Sequence, residues 1–335
     1  EHRWLDATAD APVTTGAAGE RAEPTVTTET VGVYLSERMG RPIRVIEVST
    51  LSGGRSKTTR FVRADAGEAL PETLVMRQDG FGHIATSVVD EHGLLATLFD
   101  RGLPTPRMIL CEPKVSALGK PFLLMERLPG IPAGTFSAFE VTEPSFLRQT
   151  ATALARLHSI DPASTALAGD ATRDRFLATL GAMIDDHQAQ WRANAIDPSP
   201  IFEHGFAWAR SQLTALPAPS AIVHGDFRPH NFLVEDGRLT GLLDWEFAHF
   251  GDGAEDLAYI RPTVEAVMPW DEYLAAYRAA GGPDCAEHTL IFYDIWNVLR
   301  LAALGAGAVR AFVDGATDDF RQGAGRHFSK PILER

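Results

Sequence analysis

One stretch constrains this chain more than any other: Ile222-Val223-His224-Gly225-Asp226-Phe227-Arg228-Pro229-His230-Asn231-Phe232-Leu233-Val234, followed shortly by Gly241-Leu242-Leu243-Asp244-Trp245-Glu246. Short apolar runs bounded by turn-forming and polar residues read as buried strands. The stretch therefore predicts a strand, a polar loop holding Asp226 and, five positions on, Asn231, then a second strand, and a third strand ending on Asp244. Phosphoryl transfer needs groups of these kinds. A carboxylate must orient an acceptor hydroxyl and take its proton, and hard oxygen ligands must hold Mg²⁺ against phosphate oxygens. Strands that deliver Asp226, Asn231 and Asp244 to one edge supply both, and Arg228 is placed to reach the transferred group and offset its charge. A hairpin with polar turn residues is the plainer alternative; the joint pattern argues against it.

The surroundings place this island in a large two-part protein. At 335 residues the chain is too long for one minimal core and fits one bilobal unit or two domains. Residues 1–28 are rich in Ala, Thr, Glu and Gly without a period and read as an N-terminal arm. Strands are predicted at 43–48, 59–64, 73–77, 107–111 and 121–127, with a helix over 84–100 ended by Pro104 and Pro106. From residue 141 the pattern turns helical, through an apolar stripe of Phe146, Leu147, Leu154 and Leu157 and segments at 173–193, 201–215, 270–280 and 285–312. Strands first and helices after predict an α+β protein of two lobes joined near Leu128-Pro129-Gly130, with an N-lobe over 29–128 and a C-lobe over 129–335.

Bulk properties exclude several partners. A formal net charge of −13 argues against nucleic acid and suits a neutral or cationic small molecule. Cys111 and Cys285 lack metal-ligand spacing and read as small buried hydrophobes, so a reducing, cytoplasmic setting is expected. No apolar run reaches the roughly 18 residues of a membrane span, so no membrane partner is expected. The opening residues lack a signal-peptide pattern, and a start at Glu1 rather than Met suggests that the numbering does not begin at the native initiator.

The run His224-Gly225-Asp226-Phe227-Arg228-Pro229-His230-Asn231 resembles the catalytic loop of the aminoglycoside phosphotransferase and choline kinase family, and parallels the His-Arg-Asp loop of protein kinases. Leu243-Asp244-Trp245-Glu246 resembles that family's second metal-binding segment. The resemblance implies a protein-kinase-like bilobal fold, with Asp226 as catalytic carboxylate and Asn231 and Asp244 as magnesium ligands. It also implies that Leu51-Ser52-Gly53-Gly54-Arg55-Ser56 is the turn over the nucleotide phosphates, so that Ser52, Gly53, Gly54 and Ser56 bind cofactor. The family often has Asn where Lys57 stands here. Leu74-Val75-Met76-Arg77 takes the place of the strand that carries the nucleotide-binding cation, here Arg77, with Glu91 as its partner. Phe122 to Leu128 resembles the hinge strand, with Met125 lining the adenine pocket and backbone near Glu126 and Leu128 binding the base. His224 reads as a brace of the loop, Asp256 as a hydrogen-bonding partner of it, and His158 as a packed helix residue.

ATP and Mg²⁺ are the implied cofactors, and a hydroxyl of a small molecule the implied acceptor. Few residues separate Asp244 from Gly251–Leu257, where a protein kinase needs a long segment to seat a peptide. The segment from Leu243 to Ala258 most resembles the branch associated with acyl-CoA dehydrogenases, so a hydroxyacyl-CoA kinase is an alternative. A nucleotide-binding pseudokinase is a further one, opposed by the presence of all three catalytic side chains.

Overall fold

The protein is described from a computed structural model covering residues 26–51, 57–67, 70–79, 87–136, 138–165, 167, 172–197 and 199–317. The phosphate-turn residues Ser52, Gly53, Gly54 and Ser56 lie outside the described residues, as does nearly all of the N-terminal arm.

The first element among the described residues is helix α1 (Thr28–Met39), outside the helices predicted from the sequence. Its start is fixed by reciprocal caps: Thr27 Oγ1 accepts from Thr30 N–H and Thr30 Oγ1 accepts from Thr27 N–H. Then come β1 (Arg44–Leu51), β2 (Lys57–Asp65) and β3 (Thr73–Asp79), a single turn at 88–91, α2 (His92–Asp100), β4 (Met108–Glu112) and β5 (Phe122–Glu126). The predicted helix over 84–100 is thus shorter, and residues 84–86 lie outside the described set. The five strands form one antiparallel sheet in the order β1-β2-β3-β5-β4.

Strand side chains alternate between faces, and β5 uses that alternation to serve two cores. Phe122 and Leu124 join Val62, Leu74 and Met76 in a cluster under α1. Leu123 and Met125 turn the other way, into the large core that also holds Leu94, Leu95 and Leu98 of α2 and most of the helical lobe.

After β5 the chain crosses to the helical lobe through β6 (Ile131–Pro132), which pairs with β8 (Phe232–Glu235), the strand just after the Asp226 loop. The crossing is held close. Thr240 Oγ1 donates to the Pro129 carbonyl at 2.6 Å. Gly130 has φ of 104°, and a Cβ there would stand 2.6 Å from the Val234 carbonyl oxygen. The rest comprises α3 (Pro144–His158), α4 (Arg173–Asn194), α5 (Pro200–Gln212), β7 (Ala221–Val223), β9 (Arg238–Leu242), β10 (His249–Gly251), α6 (Ala254–Glu265), α7 (Trp270–Ala279) and α8 (Glu287–Val313).

Helix α6 was not anticipated, because Ala254 to Ile260 are all buried and Pro262 sits inside it. No 3.6-residue stripe separates a wet face from a dry one. Helix α8 corrects another expectation. At 27 residues and mean hydropathy 1.2 in its most apolar window, it is long and apolar enough to cross a membrane. It is instead packed against α4, α5 and α6, with Phe292, Tyr293 and Trp296 almost wholly buried. A core helix passes the same test of composition.

The crossing yields a test. Gly130→Ala should destabilise the protein by about 1–3 kcal/mol through backbone strain and collision with Val234. Chemical denaturation would measure this; an unchanged midpoint would mean that the crossing is not held as described.

Candidate active site

The loop that carries Asp226 hangs from a buried carboxylate. Asp256, on the first turn of α6, is wholly inaccessible. Its Oδ2 accepts from His224 N–H at 2.7 Å and its Oδ1 from Gly225 N–H at 2.9 Å. His158 Nε2 lies 3.2 Å from the same Oδ2, while His158 Nδ1 is 2.8 Å from the Tyr277 hydroxyl. Burial opposes the charge of Asp256, yet His158, His224 and the backbone N–H prevail and hold its carboxyl below the usual range. Gly225 has φ of 80°, and a Cβ on it would meet the Phe247 carbonyl at 2.6 Å, so only glycine fits.

His224 braces the loop from within. Its Nε2 donates to the Leu243 carbonyl at 3.0 Å and its Nδ1 accepts from Asp226 N–H at 3.3 Å, which ties the strand before Asp226 to the one before Asp244. Asn231 adds a second tie. Its Nδ2 donates to the Asp226 carbonyl at 2.9 Å and to Asp226 Oδ2 at 2.8 Å, and its own carbonyl accepts from Leu243 N–H at 2.9 Å. The structure therefore brings Asp226 and Asn231 into direct contact and sets the Asp244 backbone beside them. Asp244 has φ of 64°, a left-handed conformation unusual for a residue with a side chain.

The Asp226 carboxylate has further neighbours that its local sequence motif does not assign a role. His230 Nε2 is 3.3 Å from Asp226 Oδ2. Burial pushes against ionisation of Asp226, but His230, His224 and Asn231 outweigh it and keep the carboxyl below its ordinary value. Asp226 is thus a carboxylate at neutral pH, able to accept a proton.

Across the cleft, the expected pair forms: Arg77 Nη1 lies 3.0 Å from Glu91 Oε2, and Arg77 Nη2 lies 3.0 Å from Asp244 Oδ1. Lys57 joins this pair. The β2–β3 register sets it opposite Asp79, and its Nζ reaches Glu91 Oε1 at 2.5 Å and Glu246 Oε2 at 3.1 Å. Two cations and three carboxylates so form one network across the lobes. Lys57 was visible in sequence only as a departure from the usual Asn; its partner required knowledge of the strand register.

Met125 is buried on the side of β5 that faces the helical lobe. Glu126 N–H is already bonded to the Arg107 carbonyl at 2.9 Å. Leu128 packs where a Cβ on Gly241 would fall, so it caps the β8–β9 hairpin. Arg228, expected to extend toward the transferred group, is buried instead, its guanidinium 4.0 Å from the centroid of Tyr259 and 4.9 Å from that of Phe136.

Among the described residues no group of three or more His, Cys, Asp or Glu is arranged to hold a metal ion. Asn231 and Asp244 offer two oxygen ligands, which fits the habit of Mg²⁺ of taking one or two protein ligands and completing its shell with phosphate and water.

A family model described as the phosphotransferase enzyme family matches residues 47–291. The chain belongs to this family. Acyl-CoA dehydrogenase family member 11 of Gallus gallus is 28% identical over 322 residues, covering 88% of this chain and 40% of that protein, so the chain spans well under half of that relative. A Ralstonia eutropha protein assigned to the aminoglycoside phosphotransferases has a TM-score of 0.70 at 18% identity, over 92% of this chain and 96% of its own. A thermostable mutant of an aminoglycoside phosphotransferase, solved with ADP and hygromycin B, has a TM-score of 0.58 at 20% identity, over 90% of this chain and 98% of its own. The likeness to these structures establishes the kinase-like α+β fold of the phosphotransferase.

Asp256 supplies the test of this geometry. Asp256→Asn leaves buried partners unmatched and should cost about 3 kcal/mol at neutral pH. A carboxyl held below its ordinary value contributes stability above that value and loses it as pH falls. The difference between wild type and variant should therefore be full at pH 7 and shrink below the ordinary aspartate value of 3.8. Melting curves across pH would check both; a difference that grows in acid would contradict the assignment.

Proposed function

We propose that this phosphotransferase moves the γ-phosphoryl group of ATP to a hydroxyl of a small molecule, with Mg²⁺ as cofactor. The observation that carries the reading is the contact of Asp226 with Asn231, locked through Leu243 to the backbone of Asp244.

In this reading Asp226 orients the acceptor hydroxyl and accepts its proton as the O–P bond forms. His230 and Asn231 engage Asp226 Oδ2, which favours Oδ1 as the oxygen turned to the acceptor, with the Tyr259 hydroxyl also beside this carboxylate. Asn231 and Asp244 would hold Mg²⁺, which offsets charge on the phosphate oxygens. Arg77 and Lys57 are the cations for the nucleotide phosphates, and Glu91 steadies both. Catalysis then rests on positioning and fixed charge and requires no covalent enzyme intermediate.

A small acceptor is supported by the path of the chain after Asp244. Ala248 N–H bonds to the Trp245 carbonyl, and β10 pairs at once with β7. Helix α6 begins at Ala254. A long segment that could seat a peptide is missing from this path. The likeness to an acyl-CoA dehydrogenase family member favours a second reading, in which the acceptor is a hydroxyacyl thioester.

Two paired measurements test the assignment. Asp226→Asn should lower transfer by about 10²–10⁴-fold while ATP and Mg²⁺ still bind. Asp244→Asn should weaken nucleotide binding only when Mg²⁺ is present. Near-normal turnover by the Asp226 variant would remove the basis of the reading. The shared hold of Glu91 gives a second prediction: Lys57→Ala and Arg77→Ala should each weaken ATP binding, and the double variant should lose less than the sum of the two. Strict additivity in calorimetric titration would mean that the two cations act apart.

A further inference from the structure

The charged side chains around the site fall into two sets. Lys57 and Arg77 are matched by Glu91, Asp244 and Glu246 on the side proposed for the nucleotide. Arg228 and Arg300 form a second set, beyond Asp226 and against α6. Their guanidinium carbons lie 4.0 Å and 5.1 Å from the centroid of one ring, that of Tyr259.

The two arginines are not equally satisfied. Arg300 Nη1 is 3.3 Å from Glu255 Oε1, and its Nη2 donates to the Gly225 carbonyl at 3.2 Å. Arg228 makes one long backbone hydrogen bond, from Nη1 to the Phe136 carbonyl at 3.4 Å, and the Tyr259 hydroxyl and the Asp226 charge also act on its guanidinium, yet its buried Nε has no partner. No carboxylate among the described residues stands within ion-pair distance of it, although it is only 7% exposed. A guanidinium carries five N–H donors in a planar fork suited to carboxylate or phosphate. Burying one without an anion is costly unless an anion arrives. Contact with the Tyr259 and Phe136 rings holds its guanidinium in place in advance.

Its position relates it to the reacting atoms. Phe136 packs on Arg228 and also on His230, with ring centroids 5.6 Å apart in the second pair, and His230 Nε2 is 3.3 Å from Asp226 Oδ2. Tyr259 is near enough to Asp226 for that charge, after burial, to help push its phenol up to about 12, so it stays a neutral ring beneath the guanidinium.

We propose that Arg228, braced on Tyr259 and Phe136, anchors an anionic group of the acceptor: a carboxylate or phosphate ester carried close to the hydroxyl that receives the phosphoryl group. The proposal rests on the phosphotransferase reading above and narrows its acceptor. A polycation would bring like charge to Arg228 and Arg300, whereas a short hydroxy acid or hydroxylated phosphate ester complements them.

The test pairs acceptors that differ only in charge: lactate beside lactamide, and glycerol phosphate beside glycerol, with choline as the cation. Binding is measured by titration with AMP-PNP and Mg²⁺ already bound, and kcat/KM by ADP release. The wild type should favour the anion of at least one pair by about 10- to 100-fold, the worth of a charge-assisted hydrogen bond. Arg228→Met should bring that ratio toward one with AMP-PNP affinity kept, and Arg228→Lys should restore part of it. Which pair responds tells carboxylate from phosphate. A preference for the neutral or cationic member, a panel in which no anion binds, or an anion preference untouched in both variants would overturn the proposal. Should anions bind through Arg228 while no acceptor is phosphorylated, the transfer reading fails and the anion site stands.

Discussion

The Asp256 carboxylate is the contact on which the site depends. Backbone N–H groups in a buried loop must find acceptors, and a wholly buried aspartate supplies two at consecutive residues, His224 and Gly225. That fixes the direction in which the loop leaves β7. Every later contact follows from it: His224 to the Leu243 carbonyl, Asn231 to Asp226, and the placing of Asp244 beside them. The carboxylate needs its own support, and the His158–Tyr277 pair provides it from α3 and α7. Three helices thus hold a loop whose chemistry none of them performs.

Charge is divided around this frame with little overlap. Glu91 collects both Lys57 and Arg77, and Arg77 also reaches Asp244, so the two lobes are joined by ion pairs whose members are also candidates for binding nucleotide and metal. Such pairs are buried enough to be strong only when their partners are complete. On the opposite side of Asp226, Arg300 keeps a carboxylate partner in Glu255, whereas Arg228 rests on two aromatic rings. Arg77 is neutralised by carboxylates, while Arg228 is held mainly by rings.

Much of this was legible in the sequence because local rules governed it. The strand-loop-strand island depends on short spacings and strand pattern, both lobes follow from the order of strands and helices, and the Arg77–Glu91 pair is what the family resemblance implies. What escaped depended on distant partners. Helix α6 is buried from Ala254 through Ile260, so periodicity carried no signal. Lys57 points to Glu91 only because β2 pairs with β3 in a particular register. Arg228 looked like a free arm beside Asp226; nothing near it in sequence announces Phe136 or Tyr259, which lie 92 residues before it and 31 after.

Strand β5 carries a further implication. Phe122 and Leu124 belong to one hydrophobic core, and Leu123 and Met125 to the other. Neighbouring residues on one short strand are therefore stakeholders in both lobes. Neither core can come apart without stripping apolar contacts from a strand that the other core also holds. Any opening between the lobes that unseated β5 would therefore expose apolar surface in both cores at once.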